Sequence, residues 1–125
     1  MTIVLDTNTL IRFFTRDIEE RAQKVKELLE KEKKLFIPDV VFPEIEYILE
    51  KKYMYSRKEI FTYFQFLTSL PNVSVTKYIK KACYIYNQTK LDMADCIIAS
   101  YSVKGKLASF DKLLLKVNEV VPYWV

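Results

Sequence analysis

The chain has 125 residues, half of them hydrophobic, and carries 20 Lys and Arg against 16 Asp and Glu for a formal charge of +4. That length gives one domain over residues 1–125, burying roughly two-thirds of its unfolded surface, and the composition excludes disorder. With no histidine and a single glycine, His-based general-base catalysis, His-ligated zinc, a Ser-His-Asp triad and a glycine-rich phosphate loop are all excluded.

Apolar runs stay short of the ~20 residues a membrane span requires. No basic leader or small-residue cleavage site precedes the first apolar run, so the expected location is cytoplasmic. Cys83 and Cys96 stand in no CxxC or zinc-type spacing and read as small buried hydrophobes in a reducing compartment. The positive charge suits a polyanionic partner, and a solvated lysine-rich surface accounts for it equally well.

In chain order, Thr2–Leu5 is a short β-branched run that reads as a buried strand ending at Asp6. Thr7, Asn8 and Thr9 are turn and cap residues before a helix over Asn8–Phe14. On its own Asp6 reads as the cap of that helix. Asp17, with Glu20 three residues on, reads as a capping box opening a long helix striped by Ile18, Ala22, Val25, Leu28 and Leu29. Its Glu-Lys-Glu-Lys-Lys end is a solvated, charge-paired face.

Leu35–Ile37 is a second buried strand, closed by Pro38, and Asp39 can cap the turn after it. Pro43 fits the first position of a helix running to about Tyr53, which sets Glu44 in the first turn at the positive end of the helix dipole. Ser56 and Glu59 form another capping box, opening a helix to about Leu70 that is aromatic almost all round. Such a helix is either deeply buried or covered by a partner, and a face that meets another chain is the expectation. After Pro71-Asn72 a helix over Thr76–Gln88 carries a core stripe.

Asp92 caps a helix ending at Gly105, with Asp95 one turn above it on the same face. Leu107–Ser109 reads as a third strand running into Phe110 and Asp111, repeating the pattern at Asp6. Lys112–Lys116 is a helical turn, and Glu119–Val121 an edge strand.

Strands alternating with helices imply an α/β fold with a parallel sheet and right-handed crossovers. Strand ends and the following helix starts share one edge of such a sheet, where Asp6, Glu44, Asp95 and Asp111 can converge. Like-charged carboxylates brought close repel unless some are protonated or a cation neutralises them. An all-oxygen set suits Mg²⁺ or Mn²⁺, which can orient a phosphodiester, activate water and stabilise the leaving oxygen without histidine.

Val-Leu-Asp-Thr-Asn at 4–8, Pro-Glu-Ile at 43–45, Leu-Asp-Met-Ala-Asp-Cys-Ile-Ile-Ala at 91–99 and Ala-Ser-Phe-Asp-Lys at 108–112 occur in the order found in PIN-domain ribonucleases. The chain resembles that family, and within it the VapC-type toxins of toxin–antitoxin pairs. The resemblance implies a three-layer α/β/α fold with a small central parallel sheet flanked by helices. It implies Mg²⁺- or Mn²⁺-dependent endonucleolytic cleavage of RNA, dimerisation to a homodimer and inhibition by an antitoxin protein. By it Asp6, Glu44, Asp95 and Asp111 are the metal-binding and catalytic acids, with Asn8 and Ser109 supporting them by hydrogen bonds. Ser109 stands where the family often has threonine, which keeps the hydroxyl. Asp92 matches a position that is often acidic, as a support for the site or as the helix cap.

Two other readings compete. A haloacid-dehalogenase-like phosphatase would use Asp6 as nucleophile, but its general acid two residues on is here Asn8. A non-catalytic PIN-like scaffold or RNA-binding module would have no reason to keep four uncompensated acids.

Overall fold

A computed structural model describes residues 1–124, which fall into two compact units, Met1–Thr76 and the chain from Lys77 onward. The first unit holds the sheet. Its strands β1 (Ile3–Val4), β2 (Leu35–Phe36) and β3 (Val73–Ser74) lie in the order β1-β2-β3, all parallel. Ile3 pairs with Leu35 and Val4 with Phe36, and these two β2 residues pair in turn with Val73 and Ser74. Between them run α1 (Thr7–Thr15), α2 (Glu19–Lys31), α3 (Val41–Lys51) and α4 (Arg57–Ser69). α1 packs on α2 and α3, and α4 on α3 and β3. This is the expected mixed α/β architecture with a small parallel sheet flanked by helices.

The first strand differs from expectation in burial: Leu5 is buried but Val4 is 61% exposed. Alternation of side chains across a strand turns successive residues to opposite faces. The third strand is not Leu107–Ser109 but Val73–Ser74, which follows α4 directly. Asn72 prepares it, because its side-chain amide donates to the carbonyls of Leu29 (2.9 Å) and Glu32 (2.7 Å) and so closes the end of α2. Its own carbonyl accepts from Leu35 N–H at 2.9 Å.

Helix starts follow the chemistry of the unpaired N–H groups in a first turn. Ser56 and Glu59 form the expected reciprocal capping box of α4. The box expected at Asp17 does not form. The helix begins behind Ile18, which makes no side-chain cap, because Asp17 is engaged elsewhere. Its carboxylate accepts from Arg12 Nη1 and Tyr53 Oη, each at 2.7 Å, and from Thr15 Oγ1 at 3.1 Å. α3 starts two residues before Pro43, since Val41 and Phe42 N–H already bond the carbonyls of Pro38 and Asp39. The Asp39 carboxylate accepts from the Thr76 hydroxyl at 2.8 Å. Tyr63 and Phe66 of α4 lie against Phe14 and Phe13 of α1, with centroids 4.3 and 5.8 Å apart. Much of that helix's aromatic surplus therefore packs within this unit.

The second unit contains α5 (Lys77–Gln88), α6 (Met93–Tyr101) and the short α7 (Lys112–Leu115). α5 and α6 pack on each other, and Ile79, Ala82 and Cys83 of α5 and Met93, Cys96 and Ala99 of α6 are buried. Both cysteines are free thiols, and burial, with a contribution from Cys96, pushes the Cys83 thiol up to about 12. Gly105 is not the cap of α6. Ser102 ends that helix, its N–H and hydroxyl both donating to the Ala99 carbonyl, so no left-handed residue is needed. The strands expected at Leu107–Ser109 and Glu119–Val121 reduce to one parallel bridge, Leu107 to Pro122. Leu107 bonds Val121 and Tyr123, and Glu119 sits in a left-handed turn with φ 74° rather than in extended backbone. No helix among the described residues is long and apolar enough to cross a membrane.

Asp17 links the end of α1 to the segment after α3, and its three donors, Tyr53 foremost, hold its carboxyl down at about 2. A depressed native value contributes stability above the unfolded value that is lost as pH falls through the native one. Asp17→Asn should therefore lower the Tm at neutral pH, with the gap to the wild type closing as pH falls from about 4 towards about 2. Equal midpoints across that range would show that the cluster does not contribute.

Candidate active site

In the first unit, Asp6 follows β1 and caps α1. Its Oδ1 accepts from Thr9 N–H at 2.9 Å. That backbone N–H, and secondarily the Thr9 hydroxyl, hold the exposed carboxyl below the ordinary carboxylate range. Glu44 lies exposed in the first turn of α3. Thr7, next to Asp6 in the chain and half-buried, donates its hydroxyl to Glu44 Oε1. Asn8 is exposed in the first turn of α1.

In the second unit, Asp92 caps α6, its Oδ1 accepting from Asp95 N–H at 2.9 Å. Asp111 caps α7 in the same way, its Oδ1 accepting from Leu113 N–H at 2.9 Å and Leu114 N–H at 3.2 Å. Ser109 Oγ accepts from Asp111 N–H at 3.0 Å and so fixes the backbone that carries the acid. Asp95 is half-buried one turn into α6. Its carboxyl is raised above the ordinary range, first by burial and then by the negative charges of Asp92 and Asp111.

The expected site residues thus appear as two sets, Asp6 with Thr7 and Glu44 in one unit, and Asp92, Asp95, Ser109 and Asp111 in the other. Among the described residues, no three acids or thiols are placed close enough to hold a metal ion as they stand. The donor chemistry nevertheless suits a hard divalent cation. Every available donor is oxygen, as Mg²⁺ and Mn²⁺ prefer. Each capping aspartate spends Oδ1 on backbone N–H groups, which leaves Oδ2 for a ligand. Repulsion that favours the protonated form of Asp95 is what a cation would relieve.

Thr7 escaped the sequence reading as a site residue. A hydroxyl inside a run of cap residues gives no sign of a partner 37 positions away, and only the carboxylates on either side drew attention.

The PIN domain family matches residues 3–120, a span that includes both sets of acids. The chain therefore belongs to the PIN-domain family. Within it, the chain is similar to the VapC ribonuclease of Aquifex aeolicus (strain VF5), at 32% identity over 108 residues that cover 82% of this chain and 78% of that protein. No solved structure matches the chain at a significant level.

Because Asp95 titrates above its ordinary value in the folded chain, its ionisation opposes folding as pH rises through that range. Asp95→Asn should raise the Tm at neutral pH without divalent ions, and should shrink the gain in Tm that Mg²⁺ or Mn²⁺ gives the wild type. A variant with an unchanged Tm and a full metal response would remove Asp95 from the site.

Proposed function

We propose that this chain is a divalent-metal-dependent endoribonuclease that hydrolyses RNA phosphodiester bonds, and that it is the toxin of a toxin–antitoxin pair. The observation that carries this reading is the placement of the acids, each at a helix start in a chain of the PIN-domain family. The similarity to the VapC ribonuclease of Aquifex aeolicus supports it. Residues 1–125 would act as one PIN domain, with Asp6, Glu44, Asp95 and Asp111 together holding Mg²⁺ or Mn²⁺. Such an ion supplies a polarised phosphoryl oxygen, a more acidic attacking water and charge for the leaving oxygen.

The protein's own contribution is positioning. Helix starts fix Asp6 and Asp111 through their caps, Thr7 orients Glu44, and Ser109 fixes the Asp111 backbone. Asn8 and Asp92 support the set, Asp92 by tethering the backbone of Asp95. The family further supports a homodimer, an antitoxin partner and a cytoplasmic location.

The test is cleavage of RNA by purified protein with Mg²⁺, Mn²⁺ or EDTA. Metal-dependent cutting is expected, and Asp6→Asn should abolish it while leaving the fold intact, because asparagine caps a helix as well as aspartate. Thr7→Val should lower the rate by about 10- to 100-fold, as removal of a residue that orients a metal ligand does. Undiminished cutting by Asp6→Asn would overturn the assignment. No cutting together with no metal-induced rise in Tm would favour the scaffold instead.

A further inference from the structure

Phe110 stands between Ser109 and Asp111 and is 86% exposed. A single exposed apolar residue calls for no explanation, but this one belongs to a cluster. Its ring stacks on Trp124 with centroids 4.7 Å apart and planes 7° from parallel. Trp124 in turn meets Tyr123 edge-on at 5.4 Å. Trp124 and Tyr123 are themselves 51% and 59% exposed, so burial within this unit does not account for the three rings. A flat pair with one broad face covered and the rest open accepts a further planar ring.

The surroundings say which ring. Phe110 is one residue from Asp111, whose carboxylate is fixed by the Leu113 N–H at the start of α7. Whatever stacks on Phe110 is therefore held beside an acid that, on the reading above, acts on a phosphodiester. Lys112, exposed on the other side of Asp111, supplies a cation for a phosphate backbone. A planar group joined to phosphates is a nucleobase. Bases in a duplex keep both faces stacked, so only an unpaired base can reach such a platform.

We propose that Phe110 and Trp124 form a stacking platform for an unpaired nucleobase next to the bond that is cut. This rests on the ribonuclease reading. Stacking on a ring is tolerant of base identity, so the platform selects strandedness rather than sequence.

Trp124 is the chain's single tryptophan, and its emission reports the platform directly. The full chain in EDTA is titrated with a single-stranded oligoribonucleotide and with an abasic strand of equal length, and affinity is read separately by anisotropy of labelled strands. Quenching by the base-bearing strand alone is expected. Phe110→Ala should weaken binding of that strand by about 5- to 150-fold, and should leave both the abasic strand's affinity and the salt dependence unchanged. Phe110→Tyr should restore binding. Equal binding of the base-bearing strand by wild type and Phe110→Ala would overturn the platform, even where wild-type protein cuts RNA in metal. Loss of self-association in Phe110→Ala with RNA binding intact would overturn it too, and would assign the rings to a protein contact. Base-dependent quenching by a wild type that never cuts would instead overturn the nuclease reading and leave the platform standing.

Discussion

The backbone N–H groups at the start of a helix have no partner inside it, and a carboxylate that accepts from them is fixed in place by the helix itself. The whole candidate site depends on this constraint. Asp6, Asp92 and Asp111 each spend one oxygen on a first-turn N–H, while Glu44 and Asp95 stand within a first turn, near the positive end of the dipole. The same arrangement offsets part of the cost of gathering negative charge. Where the offset is incomplete, at half-buried Asp95, the carboxyl is displaced towards its neutral form.

Capping and metal binding are thus compatible uses of one side chain. Taken from sequence, Asp6 and Asp92 pose a choice between a structural cap and a ligand. The geometry leaves both uses open, because a carboxylate has two oxygens and the caps at Asp6 and Asp92 use only Oδ1.

The parts of the fold legible in the sequence are those written in local chemistry. Ser56 and Glu59 announce α4 because a capping box needs two residues three apart and nothing distant. Asp92 announces α6 for the same reason. Features decided by distant partners were not legible. Asp17 has every local mark of a capping box, yet Tyr53, 36 positions away, takes its carboxylate. Strand β3 has two paired residues, too few for an alternating pattern to declare itself, while Leu107–Ser109 has the composition of a strand and finds only one bridge. In the candidate site the acids were legible, since carboxylates at strand and helix junctions stand out. Thr7 was not, because its role exists only through Glu44.

We propose that Asp6, Glu44, Asp95 and Asp111, distant in sequence, bind Mg²⁺ or Mn²⁺ together. Paramagnetic broadening by substoichiometric Mn²⁺ in the amide NMR spectrum tests it most directly. Selective loss of signals at Asp6–Thr9, Glu44, Asp95 and Asp111 together, reversed by excess Mg²⁺, is the predicted result. Broadening confined to one of the two sets, or spread over surface acids such as Glu19, Glu20 and Glu30, would contradict it.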